Sequence, residues 1–222
     1  MAGKSMRDGG NKDGALEVVT VCTGMFQQNC HLLFEPVTRE CFVIDPGEGV
    51  DEIEEAIRAE GLRPLAITNT HAHLDHVAGV AELKKRTGLP FHLHPDEFFL
   101  LEILEEHSAY FGMRPPERPT VDFELREGQV LQLGGVDIRC LLVPGHTPGS
   151  ICFVGGGQAV VGDVLFAGSI GRTDLPGGTP GLLEQNIRKT LYVLPDALRV
   201  HSGHGPETTI GREARTNPFV RR

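Results

Sequence analysis

Three histidines and an aspartate fall within the run Thr70-His71-Ala72-His73-Leu74-Asp75-His76. An apolar stretch at residues 65–69 leads into it, and a helix-like stretch follows. If the segment stays extended, His71 and His73 share a face, because side chains two residues apart point the same way. The chain must then turn, and Asp75 and His76 offer a second set of donors at a helix start. Imidazole and carboxylate together suit zinc, iron or manganese. Packing alone does not call for such a cluster, since burying these groups unpaired is costly.

Further donors follow later apolar stretches. His146 sits in Pro144-Gly145-His146-Thr147-Pro148-Gly149-Ser150, Asp163 in Val161-Gly162-Asp163, and His204 in Ser202-Gly203-His204-Gly205-Pro206. A glycine precedes each, so the backbone can come close without a Cβ. The candidate metal ligands are therefore His71, His73, Asp75, His76, His146, Asp163 and His204. Arg172, in Gly171-Arg172-Thr173-Asp174, follows Asp163 closely. It is a candidate for gripping a substrate carboxylate in bidentate fashion, and the spacing equally permits an ion pair with Asp174. His31, His92, His94, His107 and His201 are assigned surface or core roles. No Ser-His or Cys-His dyad is evident.

These donors need strand ends to hold them. Strand-like runs fall at residues 16–22, 30–35, 41–45, 65–69, 91–93, 130–133, 136–143, 150–154, 159–162 and 199–201, each bounded by Gly, Pro or a polar residue. Helix-like runs fall at 51–60, 77–87, 95–106 and 182–191. Two strand-rich halves with interleaved helices predict an α/β fold, an αββα sandwich of two mixed β-sheets flanked by helices. The polar, glycine-rich residues 1–14 read as a disordered tail, and residues 15–222 as a single domain with a helical insertion at about 95–120. That insertion carries Phe98, Phe99, Tyr110 and Phe111, more apolar side chains than one helix stripe requires. It is read as a cover over the metal site, a subunit contact or a plain structural insertion.

The 222 residues can bury a sizeable core, and a formal charge of −9 argues against a nucleic-acid partner. No apolar run is long enough to span a membrane. Five cysteines without a C-x-x-C pair, and an N-terminus without an apolar signal core, imply reduced, mostly buried thiols and a cytoplasmic location.

The H-x-H-x-D-H run with the later His146, Asp163 and His204 resembles the metallo-β-lactamase-fold hydrolase superfamily. Within it the chain is similar to the short glyoxalase II-like hydrolases, through residues 144–150, 162–178 and 202–218, with the likeness running from about residue 18 to 218. The resemblance implies two divalent cations, zinc in first place with iron or manganese as alternatives. It places His71, His73 and His146 on one, Asp75, His76 and His204 on the other, and Asp163 between them. Asp45 matches an acidic position beside the metal centre, where it would partner a ligand imidazole. Asp75 and Asp163 are the implied catalytic carboxylates, and the implied reaction is hydrolysis of a thioester such as S-lactoylglutathione by a metal-bound hydroxide. The expected partner is a small acyl thioester, with no nucleic acid and no membrane, in a monomer or homodimer.

Two alternatives share the motif. Persulfide dioxygenases hold one iron on the equivalents of His71, His146 and Asp163, and a metal-stabilised binding protein would not turn over at all. Residues 205–222 leave no room for the helical domain with which full-length glyoxalase II grips glutathione. The lysine and tyrosine of that family's glutathione loop are replaced here by Gly171-Arg172-Thr173-Asp174.

Overall fold

The computed structural model describes residues 14–222. β1 (Glu17–Thr23), β2 (Gln28–Phe34) and β3 (Glu40–Ile44) form an antiparallel meander, and α1 (Val50–Ala59) carries the chain over to β4 (Arg63–Thr68), parallel to β3. α2 (Leu74–Val77) and α3 (Val80–Thr87) precede β5 (Phe91–Leu93). A 3₁₀ turn at Pro95–Glu97, α4 (Phe98–Glu102) and α5 (Leu104–Tyr110) then lead to β6 (Phe123–Glu124), which completes a six-stranded sheet in the order β1-β2-β3-β4-β5-β6.

The second sheet begins as the antiparallel meander of β7 (Val130–Leu133), β8 (Val136–Leu142), β9 (Ile151–Gly155) and β10 (Gln158–Gly162). A small ribbon of β11 (Leu165–Phe166) and β12 (Ser169–Ile170) follows, then α6 (Leu182–Asn186), continued by a π-helical turn at Ile187–Leu191. β13 (Arg199–Ser202) pairs parallel with β10, β14 (Thr208–Thr209) lies outside it, and α7 (Ile210–Thr216) follows. The sheet order is β14-β13-β10-β9-β8-β7.

Side-chain alternation builds the layers. On β3, Phe42 and Ile44 join the core between the sheets, while Cys41 and Val43 face the helices of the first half. On β9, Ile151 and Phe153 point into the same inter-sheet core, and Cys152 and Val154 pack with residues of α6 and α7. Strands buried on both faces read as unbroken apolar runs, which is why their sequences show little alternation. The αββα sandwich expected from the sequence is the fold observed.

Several elements differ from the sequence reading. The helix expected over 77–87 is divided where the Gly79 amide donates to the Pro46 carbonyl at 3.1 Å, outside the helical ladder. The helix expected over 95–106 breaks at Ile103. One straight stripe cannot bury the run Phe98 to Leu104, and the break turns Ile103, His107 and Tyr110 toward the metal-site cavity. The short strands β6, β11, β12 and β14, and α7 with its Thr209 side-chain cap on Arg212 N, have no counterpart in the sequence reading. The tail read over residues 1–14 lies, apart from Gly14, outside the described residues. Cys30, Cys41, Cys140 and Cys152 are buried free thiols, and Cys22 is exposed.

Polar bonds fix one sheet to the other near the site. Asn29 Nδ2 donates to the Ser202 and Gly205 carbonyls at 3.0 and 2.9 Å, and His31 Nε2 donates to the Ser202 carbonyl at 3.0 Å. The His31 ring lies 5.7 Å from that of His201, and burial holds both well below the ordinary 6.5, at about 4. Between those values the unfolded chain carries protons that the folded one refuses, so stability falls as pH drops from 6.5 to 4. Thermal melts of the metal-free protein should show this fall, and His31→Gln should make it shallower by removing one of the contributing rings. An unchanged slope in that variant would assign the acid sensitivity elsewhere.

Candidate metal centre

The loops at one rim of the sandwich bring the sequence-identified donors together. His71 and His73 lie on the extended segment after β4, Asp75 and His76 on α2, His146 between β8 and β9, Asp163 just after β10, and His204 just after β13. His146 Nε2 stands 3.2 Å from His71 Nε2 and 2.9 Å from His73 Nδ1. His204 Nε2 is 3.1 Å from Asp75 Oδ2, and His76 Nε2 is 3.9 Å from the same oxygen. Asp163 lies between these groups, 3.4 Å from His76, 3.8 Å from His146 and 3.7 Å from His204.

Second partners set the tautomers. His146 Nδ1–H donates to the Arg172 carbonyl at 2.7 Å, so its Nε2 carries a bare lone pair. Thr70 Oγ1 gives its proton to Asp45 Oδ2 at 2.6 Å and accepts from His71 Nδ1 at 3.0 Å, which bares His71 Nε2 as well. His76 Nδ1 donates to Asp45 Oδ2 at 3.1 Å, and His204 Nδ1 to the Phe26 carbonyl at 3.2 Å. Four of the five rings are thus held through one nitrogen while the other points inward, the arrangement expected of metal-ligating histidines. The two lone pairs of His71 and His146 face each other with no hydrogen between them, and a cation resolves that conflict.

Burial pulls His71 and His146 below the ordinary histidine range and takes His73 down to about 3. His76 goes the other way: burial opposes its charge, but Asp163 and Asp75 outweigh burial and hold it well above. Burial would raise Asp163, yet His76, His146 and His204 keep its carboxyl far below the usual range. His73 Nε2, His76 Nε2 and Asp163 Oδ1 are buried without a hydrogen-bond partner. A Cβ on Gly203 would collide with Asp163 Oδ1 and His76, so only glycine leaves the space between them open. The neutral form favoured at His71, His73 and His146, the inward lone pairs and the unpartnered carboxylate oxygen fit divalent cations.

Asp45 can also be grouped with His71 and His76 as a third donor set. Its oxygens are already engaged, Oδ1 by the Thr70 amide at 2.6 Å and Oδ2 by Thr70 and His76, so it orients ligands. Arg172 lines the cavity, but its guanidinium is bound to Asp174 by two bonds of 2.7 and 2.8 Å. The structure pairs it with Asp174 at the solvent-exposed edge of the cavity, and the Arg172 backbone serves His146. His107, assigned to surface or core from sequence, instead lines the cavity with its ring 6.5 Å from that of His73.

Sequence reasoning also missed Glu97. It reads as a first-turn acid, yet it is fully buried and joins two ligand loops, accepting from Ala72 N at 2.9 Å and Gly149 N at 2.7 Å. Burial pushes its carboxyl up to about 7, against bonds from Thr147, Ala72 and Gly149 that favour the anion.

Layered sheets with this donor set at one rim define a class of metal-binding α/β sandwich. Residues 23–204 match the model of the metallo-beta-lactamase superfamily, and the chain belongs to that superfamily. Its relatives include the hydroxyacylglutathione hydrolase GloC of Haemophilus influenzae, 37% identical over 92% of this chain and 97% of that one. TTHA1623, solved in a di-iron-bound form, is 41% identical with a TM-score of 0.83, covering 91% of this chain and all of its own. The BLEG-1 B3 metallo-beta-lactamase is 35% identical with a TM-score of 0.85, covering 92% of this chain and 99% of that one.

Glu97→Ala strands two buried amide protons, each worth about 1–3 kcal/mol. The variant should melt lower and bind less metal. Glu97→Gln, with one acceptor oxygen in place of two, should fall between it and the wild type. Metal content and melting temperature equal to wild type in both would remove Glu97 from the support of the site.

Proposed function

We propose that the chain is a dinuclear metal-dependent hydrolase of acyl thioesters, S-lactoylglutathione among its substrates. The observation that carries this reading is the pair of converging donor triads with Asp163 between them. His71, His73 and His146 would hold one cation, Asp75, His76 and His204 the other, and Asp163 would touch both. Two divalent cations so placed supply Lewis acidity, bringing a water to a pKa of about 7 and drawing charge from a carbonyl oxygen.

The chain's own groups prepare that chemistry. Asp45, Thr70 and the carbonyls of Arg172 and Phe26 fix the tautomers of His71, His76, His146 and His204, so these four rings are already oriented for a cation. A thiolate leaves without a dedicated acid, since thiols ionise near pH ~8.5. That matches a cavity whose described lining offers no lysine to protonate a poorer leaving group. Its carboxylates are Asp75, Asp163 and Glu106.

The name of the Haemophilus relative supports the thioester class, and the di-iron form of TTHA1623 supports two metals. Zinc is our first choice of metal, with iron or manganese as alternatives. Four buried, unpaired cysteines support a reducing, cytoplasmic setting. Among the described residues no helix is long and apolar enough to cross a membrane. We take the protein to work as a monomer or homodimer on small molecules, without nucleic acid.

Protein purified without chelator should carry about two metals per chain and cleave S-lactoylglutathione. Asp163→Ala should bind less metal and lose at least about 100-fold in kcat/KM, as expected when a group acting in the transition state is removed. One iron per chain, with oxygen uptake on a persulfide and no thioester cleavage, would move the assignment to a dioxygenase. A full complement of metal with no turnover of thioester, persulfide or β-lactam would leave a binding protein.

A further inference from the structure

Above the two triads lies a cavity of about 750 Å³, with His73, Asp75, His146, Asp163 and His204 on its floor. Its walls come from segments distant in sequence. Phe26 enters from the turn between β1 and β2, Ile103, Tyr110 and Phe111 from around α5, Phe166 from β11, and Leu175 from the loop after Arg172. The aromatic rings form one surface. Phe26 meets Phe111 edge-on at 5.3 Å, and Phe111 meets Tyr110 edge-on at 5.0 Å. Neither α5 ring is needed to close the core, for Tyr110 is 81% exposed and Phe111 38%. Solvent-facing aromatics gathered at the mouth of a functional cavity are what an apolar ligand covers.

The side-chain charges of the walls offer little to the opposite kind of ligand. The side chains around the cavity include the carboxylates Asp75, Asp163 and Glu106, and a single guanidinium, Arg172. Arg172 is already committed to Asp174 through two hydrogen bonds. Cations held on the floor would be offset in part by Asp75 and Asp163, and their remaining charge would be turned toward the reacting carbonyl. Among the described lining residues no unpaired cation is left for the carboxylates of a peptide-like thiol or the phosphates of a nucleotide-like one. A charged carrier would meet Glu106 and aromatic rings instead.

We propose that the acyl arm of the substrate is an apolar chain of several carbons lying across Phe26, Tyr110 and Phe111, and that this arm, and not the thiol carrier, sets specificity. The proposal rests on the thioesterase reading for its reacting group, and on the cavity walls alone for the chain. Each methylene moved from water onto such a surface should raise kcat/KM by about two- to four-fold until the cavity is filled.

The test uses the metal-loaded full chain and one small uncharged carrier. S-acyl-N-acetylcysteamines from acetyl to decanoyl are assayed beside S-lactoylglutathione, and the uncleavable S-alkyl thioethers of the same carrier are titrated by calorimetry. The expected result is a kcat/KM that climbs with chain length and passes that of S-lactoylglutathione, with thioether Kd falling in step. Phe111→Ala and Tyr110→Ala should flatten both slopes at wild-type metal content. A flat or falling series with S-lactoylglutathione as the best substrate would overturn the proposal and leave the hydrolase reading intact. Thioethers that bind more tightly with length while no thioester is cleaved would uphold the apolar arm and overturn the hydrolase reading. Slopes unchanged in both variants would take the chain off the aromatic wall and overturn the proposal.

Discussion

The Asp163 carboxylate stands within 4 Å of imidazoles from three different segments, those of His76 on α2, His146 and His204. It is the charge on which the cluster balances. Without it, three inward-facing rings would crowd together with only Asp75 to offset them, and the lone pairs of His71 and His146 would still confront each other. The cost of burying so many polar atoms has to be offset locally, because a low-dielectric rim magnifies both attraction and repulsion. Divalent cations held by the two triads would give those inward atoms a partner.

Such a cluster demands a rigid frame, and the fold supplies one by tying its sheets together close to the ligands. Asn29 and His31 of the first sheet bind the Ser202 carbonyl of the second, one residue before Gly203. The Ile151 amide of the second sheet reaches the Thr70 carbonyl at 2.8 Å, one residue before His71. Glu97 joins the loop of His71 and His73 to the loop of His146. Inter-sheet packing brings the loops to one rim, and these bonds hold them in register. Positions such as Gly203 and Gly162 have to be glycine because a Cβ would strike Asp163 or Thr70.

The layered fold and the donors were legible because each leaves a local signature. A run of apolar residues ending in His, Asp or Gly marks a strand that delivers a ligand, and spacing alone put His71 and His73 on one side. What was not legible depends on contacts between distant segments. Nothing near Glu97 in sequence announces that its oxygens will meet Ala72 and Gly149. Phe26 reads as a turn residue, and its place in the cavity wall and at His204 exists only once β13 lies beside β10. The break at Ile103 was hidden because all but Glu102 of the run Phe98 to Leu104 is apolar, so periodicity has little to measure. Arg172 lay between two roles in sequence, and the structure shows its bonds to Asp174.

Membership of the metallo-beta-lactamase superfamily fixes the frame and leaves chemistry to the site, as folds of this breadth do. The central claim is that the rim holds two cations on two triads that share Asp163. Anomalous diffraction from crystals of the metal-loaded protein, recorded at the zinc and iron edges, tests it directly. The account predicts two peaks about 3.5–4 Å apart, one ligated by His71, His73 and His146, the other by Asp75, His76 and His204, with Asp163 contacting both. A single peak ligated by His71, His146 and Asp163, with no density at the second triad, would contradict it.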